Sequence, residues 1–330
     1  MRTNLAIVGL GRWGKVLVDS VQGRSPHVGF AAAVVRDAVR AAADAEARRL
    51  VVYTDLGVVL ADPEIDGIVL ATPHSRHAAE IEACARAGKP VFVEKPVTLT
   101  RASAAAAFAA VEAAGIPLAA GFNRRFLPAI RDLKQLIDSA VLGAVLQIET
   151  HFSGNVAGRY APGHWRIAPG ESPAGGLAGS GIHQIDAIIN LAGPISEVFA
   201  VTTRRVHAQP MDDTTLVTFR LAGGPLASLL TITATVPTWK ITVFGTAARA
   251  VLEGASDRRG SERLEVAFLN GDRMERHYAA FDIERAELEA FADAIAGRAP
   301  YPIPLDQVLN GVAAFEAVSL SAEGGAPVRL

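Results

Sequence analysis

The sequence predicts an α/β fold in which an N-terminal doubly wound Rossmann domain precedes a C-terminal α+β domain with a large, open, mostly antiparallel sheet. Up to Phe122, short apolar runs alternate with helical segments, as in a parallel sheet with crossover helices. The first of these runs leads directly into three glycines in residues 4–14, NLAIVGLGRWG. After residue 122 closely spaced strand-like segments dominate. We therefore predict a dinucleotide-binding domain over 1–122 and a substrate-binding and oligomerisation domain over 123–330.

The elements of the first domain follow from this alternation in order. Helical segments separate the strands, and several end at a glycine, as helices often do. The predicted strands are Leu5–Val8, Phe30–Val35, Val51–Tyr53, Gly67–Ala71, Pro90–Val93 and Pro117–Gly121. The predicted helices are Trp13–Val21, Asp37–Leu50, Ser75–Ala87 and Thr100–Ala114.

The second domain begins with a helix over Leu127–Ser139 and a strand over Val145–Phe152. A loop rich in glycine and proline, residues 154–176, then leads to a helix over Ile182–Leu191. Seven further strand-like segments between residues 195 and 278 and two closing helices complete the prediction. An antiparallel sheet backed by helices leaves one face open, and we expect a second copy of the chain to cover it in a homodimer or homotetramer.

Composition excludes several classes of function. The 330 residues are half apolar and carry a formal net charge of only -2, so we expect no nucleic acid and no membrane surface as partner. The single cysteine, Cys84, rules out an internal disulfide framework and suits the cytoplasm; we expect it to be a small buried side chain. No spacing of histidines and carboxylates predicts a metal site.

The glycine loop indicates a bound dinucleotide. Gly9 permits a tight turn after the strand, Gly11 lets backbone amides approach a pyrophosphate, and Gly14 lets the helix pack close to the sheet. The pyrophosphate then lies at the N-terminus of the helix. The cofactor-binding residues predicted here also include Leu10, Arg12 and Trp13.

Arg36 occupies the position, about 20 residues beyond the loop, that commonly distinguishes the two nicotinamide cofactors. A guanidinium can bind a 2'-phosphate through two hydrogen bonds, so we expect NADP(H) to be preferred over NAD(H). Two alternatives stay open. Asp37 can take the acidic role typical of NAD(H) binding, or Arg36 can stack on adenine without discriminating between the cofactors.

Two further groups of residues point to chemistry. Glu94 and Lys95 follow an apolar strand, so Lys95 lies at the edge of the sheet where ligands bind and can polarise a substrate oxygen. Gly179, His183 and Asp186 share one helical face, which permits a histidine to carry protons with a carboxylate nearby. The alternatives are a solvated Glu-Lys pair and a structural histidine beside a surface aspartate.

Taken in order, the segments GLGRWG, ATPHSRHA, VEKPVTLT, GFNRRF and SGIHQID resemble the glucose-fructose oxidoreductase and myo-inositol dehydrogenase family over nearly the whole chain. The resemblance implies reversible hydride transfer between a nicotinamide and a secondary alcohol or ketone, often of a sugar or cyclitol. It also implies catalytic roles for Lys95, His183 and Asp186. The remaining positions that it assigns to cofactor or substrate are Thr72, Pro73, His74, His77, Glu94, Asn123 and Arg124, with His74 in place of the usual asparagine.

One position departs from the family pattern. Many members carry an aspartate four residues before the histidine, where this chain has Gly179. The missing carboxylate removes an acceptor for substrate hydroxyls and a charge that favours protonated His183, so the substrate or the proton relay differs. Trp165 and Arg166, in the preceding loop, are the residues we expect to line the substrate cleft.

The sequence thus predicts an NAD(P)-dependent oxidoreductase acting on a sugar, a cyclitol or a related small hydroxy compound. Two alternatives are a nucleotide-binding sensor or subunit without catalytic activity, motivated by Gly179, and a reductase of a nonsugar substrate such as an aromatic diol or a linear tetrapyrrole.

Overall fold

The structure is a computed structural model that describes residues 2–156, 160–161, 163–255 and 258–330. The chain forms two compact units. The first contains Met1–Thr98, Ala102–Asn123 and Asp282–Leu305, and the second contains Leu99–Arg101, Arg124–Phe281 and Asp306–Leu330. The predicted boundary near residue 122 assigns 282–305 to the second domain, whereas the contacts of this segment place it in the first unit. Part of the predicted 154–176 loop lies outside the described residues.

The first unit is built on a six-stranded parallel sheet with the order β3-β2-β1-β4-β5-β6, the arrangement of a dinucleotide-binding Rossmann fold. This confirms the predicted fold class. The strands are β1 (Thr3–Val8), β2 (Val28–Val34), β3 (Val51–Tyr53), β4 (Gly67–Leu70), β5 (Val91–Glu94) and β6 (Leu118–Gly121). The helices between them are α1 (Arg12–Val21), α2 (Ala38–Ala47), α3 (Leu56–Ala61), α4 (His77–Arg86) and α5 (Arg101–Ala114).

A helix from late in the chain completes the core of the first unit. In α8 (Ile283–Ile295), Leu288 and Phe291 are fully buried in the same apolar cluster as residues of β1, β2 and α1. The ring of Phe291 lies 5.9 Å from that of Phe92 in β5. Since burial of one large side chain stabilises by roughly 1.5–3 kcal/mol, this helix is an integral part of the Rossmann unit.

The second unit contains a nine-stranded mixed sheet with the order β14-β13-β12-β11-β7-β10-β9-β8-β15. All its pairs are antiparallel except β7 with β10, which run parallel. The strands are β7 (Val145–Asn155), β8 (Ile195–Thr203), β9 (Thr214–Leu221), β10 (Leu226–Ile232), β11 (Ala234–Gly245), β12 (Ala248–Gly254), β13 (Arg263–Phe268), β14 (Arg273–His277) and β15 (Val328–Arg329).

Helices cover one face of this sheet. Helix α6 (Pro128–Asp138) packs on β12 and β13, and α7 (Ile182–Ala192) packs on β7 and β10. Helix α9 (Leu305–Gly324) is tied to β8 by hydrogen bonds between Asn310 and the backbone of Ile195 and from the Ala200 N–H to the Ser321 hydroxyl. The catalytic candidates on α7 are therefore held by a packed layer. Among the described residues, no helix has the length and apolar character needed to cross a membrane.

Candidate active site and cofactor-binding region

The glycine loop has the backbone geometry that its sequence predicts. A Cβ on Gly9, whose φ is +97°, would lie 2.7 Å from the Ala71 carbonyl oxygen. A Cβ on Gly14 would lie 2.0 Å from the carbonyl oxygen of Gly9, so neither position accepts a side chain. Gly11 caps α1 and has open space where a Cβ would be. The loop therefore leaves the N-terminus of α1 accessible, as a bound pyrophosphate requires.

Arg36 and Asp37 lie exposed after β2, at the position expected to contact the adenosine ribose. The carboxylate of Asp37 caps α2, accepting a hydrogen bond from the Arg40 N–H at 2.9 Å. Capping aims one carboxylate oxygen at the helix backbone. Of the two residues that compete in the sequence for cofactor discrimination, Asp37 thus has a role in the helix itself.

The loop after β4 is tied to α4 through Thr72. Its hydroxyl donates to Glu80 at 2.5 Å, and Glu80 also pairs with Arg76 at 2.8 Å. Burial raises the pKa of Glu80, while the hydrogen bond from Thr72 and the charge of Arg76 act in the opposite direction. These contacts hold the loop that contains Thr72 and Pro73, which the sequence assigns to cofactor binding.

His77 is fully buried and joins two loops of the first unit. Its Nδ1 lies 2.9 Å from the Pro96 carbonyl oxygen and its Nε2 lies 3.1 Å from the Thr72 carbonyl oxygen. The ring packs edge-on against that of His74, 5.9 Å away. Sequence reasoning placed both histidines along the cofactor, and this geometry gives His77 the additional task of holding the loops after β4 and β5 together.

The Glu94-Lys95 pair follows β5 in the first unit. The buried Glu94 side chain folds back on its own strand end, where Oε2 accepts from the Lys95 N–H at 3.3 Å. Its Oε1 lies 3.1 Å from the place of a Cβ on Gly121, at the end of β6. Lys95 itself is partly exposed.

Asn123 follows β6 and contacts a helix that the sequence analysis did not connect with the site. Its amide nitrogen donates to Glu284 of α8 at 3.0 Å, and both residues are buried. Glu287 lies one turn further along α8 and is fully buried. Sequence reasoning missed both glutamates because their spacing is also that of an ordinary acidic helix surface. Only their location beside the strand ends distinguishes them.

In the second unit, one turn of π-helix over Leu177–Gly181 leads into α7. The N–H of Gly181 donates to the carbonyl of Gly176, five residues earlier, at 3.1 Å. Such π-helical turns are rare in proteins, but those that occur are often found at functional sites. His183 and Asp186 follow directly and are both buried.

Asp186 forms a buried ion pair with Arg125. The guanidinium donates to both carboxylate oxygens, with distances of 2.7 Å from Nη2 to Oδ1 and 2.9 Å from Nε to Oδ2. The same guanidinium also donates to Gln307 at 2.6 Å and to Asn190 at 3.3 Å. Burial raises the pKa of Asp186, and Arg125 opposes this. These hydrogen bonds join Asp186 to Arg125, so its orientation of His183 stays a prediction.

Arg124 lies between two aromatic rings in the second unit. Its guanidinium carbon is 4.5 Å from the ring centre of Phe152 and 5.0 Å from that of Trp239. These aromatic residues face each other across β7 and β11, and the Phe152 ring lies 6.0 Å from the His183 ring. Cation–π contact therefore fixes the predicted substrate-binding arginine. The sequence analysis missed both aromatic residues because strand pairing, which it does not specify, brings them together.

The predicted residues Trp165 and Arg166 lie in a 3₁₀ turn capped by His164. The Arg166 guanidinium carbon is 4.3 Å from the Trp165 ring centre, and the rings of His164 and Tyr160 stack at 4.6 Å. Burial lowers the pKa of His164, and the charge of Arg166 lowers it further. The turn thus presents a continuous stack of planar groups in the second unit.

Gly179 has space for a side chain. It is exposed, and a Cβ there would have nothing within 4 Å. Packing therefore does not explain the absence of the aspartate that the family resemblance implies at this position. By contrast, Cys84 is fully buried and burial raises the pKa of its thiol to about 12, as expected for a small core side chain.

Two sequence models from one family match this chain. The model for an oxidoreductase family with an NAD-binding Rossmann fold matches residues 3–122, and the model for the GFO/IDH/MocA C-terminal domain matches residues 130–251. The chain belongs to the GFO/IDH/MocA family of oxidoreductases. This confirms the resemblance found in the sequence. The protein is an NAD-binding oxidoreductase, and relatives with assigned reactions are dehydrogenases.

Individual relatives differ in how much of the chain they match. The uncharacterized oxidoreductase YrbE of Bacillus subtilis is 27% identical, over 98% of this chain and 95% of its own. The scyllo-inositol 2-dehydrogenase (NAD(+)) of Bacillus subtilis is 39% identical over 42% of this chain and 41% of its own. The inositol 2-dehydrogenase 2 of Saccharopolyspora erythraea is 32% identical over 62% of this chain and 58% of its own. The matched segments thus cover about half the length of these inositol dehydrogenases.

Solved structures share the fold. Levoglucosan dehydrogenase in complex with NADH and levoglucosan superposes with a TM-score of 0.89 and 22% identity, over 100% of this chain and 99% of the other. The aldose-aldose oxidoreductase of Caulobacter crescentus, complexed with glycerol, gives a TM-score of 0.89 and 23% identity over the full length of both chains.

The buried Arg125–Asp186 pair generates a stability prediction. Replacing Asp186→Asn removes the anion while Arg125 stays buried, and we expect the free energy of unfolding to fall by about 3–5 kcal/mol in urea denaturation. The matched control is Asp132→Asn, which weakens a partly exposed pair with Arg276. It is expected to cost less than about 1 kcal/mol. Equal losses in the two variants would contradict a structural role for the Arg125 ion pair.

Proposed function

We propose that the protein is an NADP(H)-preferring dehydrogenase or reductase that moves a hydride between nicotinamide and a secondary alcohol or ketone of a sugar, cyclitol or related small hydroxy compound. The observation that carries the proposal is Lys95, which follows a strand of the same parallel sheet whose first strand leads into the glycine loop. Ligands bind at this edge of a doubly wound sheet. The names of the inositol dehydrogenases and levoglucosan dehydrogenase support the substrate class.

Three side chains carry the proposed chemistry. When bound, the cofactor supplies the hydride acceptor or donor. Lys95 donates a hydrogen bond to the substrate oxygen and stabilises negative charge that develops there. His183 accepts the hydroxyl proton during oxidation and returns it during reduction. Arg124, held by Phe152 and Trp239, supplies donors for further substrate oxygens.

Arg36 supports the preference for NADP(H). It is exposed after β2, whereas the Asp37 carboxylate caps α2 and so has a role in the protein itself. Glycines 9, 11 and 14 fit the pyrophosphate, because the open space at Gly11 is where a side chain would obstruct it. The cytoplasmic location stays a prediction.

The cofactor assignment is tested by fluorescence titration with NADPH and NADH. We expect Arg36→Ala to weaken NADPH binding about tenfold or more, because one charge-assisted contact to phosphate is lost, while NADH binding changes little. Gly11→Ala is expected to keep the wild-type melting temperature and to weaken both cofactors. Equal affinities of the wild type for both cofactors would overturn the assignment of Arg36.

The catalytic assignment is tested with Lys95→Met on a panel of sugars, cyclitols and their ketones. We expect kcat to fall by about 10²–10³-fold because a donor to the developing oxyanion is lost, with the cofactor Kd within a few-fold of wild type. His183→Asn should lower kcat and remove a limb of its pH profile. Full activity of Lys95→Met would refute the role of Lys95, and binding without turnover by the wild type would favour a sensor.

We further propose that the uncovered face of the second sheet binds a second copy of the chain. Val201 in β8 lies opposite Leu216 in β9, which lies opposite Leu230 in β10, so an apolar row crosses three strands. Val201 and Leu216 are each 50% exposed. Exposed apolar rows of this kind mark interfaces, and Phe199 and Leu226 enlarge the same face.

Light scattering tests this interface. The wild type is expected at a multiple of the 34.6 kDa chain mass, and Leu216→Glu is expected to dissociate it because a charge is placed in the apolar row. Leu269→Glu, at an exposed turn between β13 and β14, is the control and should leave the mass unchanged. A monomeric wild type at micromolar concentration would contradict the proposal.

A further inference from the structure

Arg124 and Arg125 are adjacent in the second unit but have different surroundings. The Arg125 side chain is only 8% exposed and donates three hydrogen bonds to Asp186, whose side chain is 7% exposed. The charges of this pair therefore balance each other inside the protein. The Arg124 guanidinium instead lies over the rings of Phe152 and Trp239. These ring contacts fix the position of Arg124 without supplying a full negative charge.

The same rings connect Arg124 with His183. Phe152 and Trp239 are paired across β7 and β11, so their side chains lie on the same face of the sheet. The Phe152 ring is also 6.0 Å from the His183 ring. Arg124 and Phe152 are partly exposed, whereas Trp239 and His183 are buried. Arg124 and the proposed proton carrier thus share one aromatic neighbour, and a small polyhydroxy molecule is long enough to reach both.

The charged and titratable residues of these two strands lie on the opposite face of the sheet. Side chains alternate along a strand, so Glu149 and His151 project from β7 on the face opposite to Phe152. Lys240 is the cross-strand partner of His151 and projects on that same opposite face. These three side chains therefore do not change the charge beside Arg124.

Gly179 removes a negative charge from the helix that carries His183. It lies four residues before His183 where the π-helical turn leads into α7, so the two residues share one side of the helix. The family resemblance implies an aspartate at this position. Of positions 179 and 186, only 186 holds a carboxylate in this chain, and Arg125 already balances it. The substrate region of the second unit is therefore more positive than the family pattern implies.

We infer that Arg124 selects a substrate that carries a carboxylate, so that the substrate is a sugar acid or a similar polyhydroxy carboxylic acid. The carboxylate accepts two hydrogen bonds from the edge of the Arg124 guanidinium, whose planar fork matches its two oxygens. A hydroxyl group of the same molecule is then the group that reacts near His183. The identity of the substrate rests on the proposed function, whereas carboxylate binding by Arg124 does not.

A carboxylate fits this arrangement better than a phosphate does. A carboxylate carries one negative charge, which the single Arg124 charge balances. A phosphate monoester carries a charge of about -1.5 to -2 at neutral pH and presents three acceptor oxygens, so it favours sites with several cations or a helix N-terminus. A phosphorylated sugar is therefore included in the test as the competing anion.

The first test compares D-gluconate with D-glucitol, which has a hydroxymethyl group in place of the carboxylate. Binding is measured by calorimetry in the presence of NADPH, which cannot reduce either compound. We expect wild type to bind gluconate about ten- to a hundredfold more tightly than glucitol, because the charge-assisted pair with Arg124 is added. Arg124→Gln should abolish this preference, and Arg124→Lys should retain only part of it.

Arg131→Gln is the matched control, because Arg131 also lies over an aromatic ring, that of Phe126 in the same unit. It should keep the preference for gluconate. A wild type without that preference, or a preference that survives in Arg124→Gln, would overturn the inference. Tighter binding of glucose 6-phosphate than of gluconate and D-glucuronate would overturn the choice of a carboxylate.

The second test restores the missing charge. A Cβ on Gly179 would have nothing within 4 Å, so the fold accommodates Gly179→Asp and its uncharged match Gly179→Asn. We expect Gly179→Asp to bind gluconate about tenfold more weakly than Gly179→Asn does, because like charges repel, with little difference for glucitol. Equal gluconate affinities in the two variants would contradict the inference.

Turnover with NADP⁺ separates this inference from the proposed function. For gluconate, Arg124→Gln should raise KM about ten- to a hundredfold while kcat changes little, since Arg124 binds a group that does not react. If gluconate binds through Arg124 but no acid or neutral sugar is oxidised, the proposed function fails and the carboxylate site stands. If neutral sugars are oxidised with a higher kcat/KM than their acids, the proposed function stands and the inference fails.

Discussion

The arrangement of the first unit depends on the parallel direction of its six strands. Parallel neighbours require a crossover after each strand, so the carboxyl ends of all strands meet at one edge of the sheet. The glycine loop follows β1, Arg36 follows β2, Thr72 follows β4 and Lys95 follows β5. Residues far apart in sequence reach one edge for this reason alone, and the buried apolar strands keep that edge rigid.

Buried charge is organised differently in the two units. In the second, Arg125 donates three hydrogen bonds to the two carboxylate oxygens of Asp186, and Gln307 and Asn190 accept from a further guanidinium nitrogen. In the first, the Glu287 carboxyl group is fully buried, and burial together with Glu94 and Glu284 raises its pKa well above the ordinary value, while Lys95 lowers it. A satisfied pair stabilises geometry over a wide pH range, whereas a buried carboxyl group with a raised pKa makes the local charge depend on pH.

Local sequence signals predict the first unit well. Apolar strand runs and glycine-terminated helices give six strands close to their observed bounds, and the resemblance of five motifs identifies the family. Helix α3 is missed because its six residues contain less than two helical turns of pattern. The parallel pairing of β7 with β10 is missed because alternation within a strand does not reveal the direction of its neighbour.

The candidate site is less accessible to sequence reasoning because its charges depend on long-range contacts. Arg125 lies 61 positions from Asp186, and Asn123 lies 161 positions from Glu284. Arg124 is a predicted substrate ligand, but the aromatic rings that hold it come from two separate strands. Taken alone, the sequence around each of these residues also fits a surface helix or an ordinary strand. Only the tertiary structure distinguishes a residue of the site from a residue of such an element.

The late helix α8 makes the Rossmann unit discontinuous in sequence, and this bears on how the chain is made. On the ribosome, Phe92 and its neighbours emerge nearly 200 residues before Phe291. The apolar surface that α8 covers therefore stays open until synthesis is almost complete. During that interval, the N-terminal segment exposes apolar side chains that α8 later buries. The discontinuity also affects recombination in evolution. Because residues 282–305 of the first unit lie between two segments of the second, exchanging the C-terminal part of the chain as one block also exchanges part of the nucleotide-binding core.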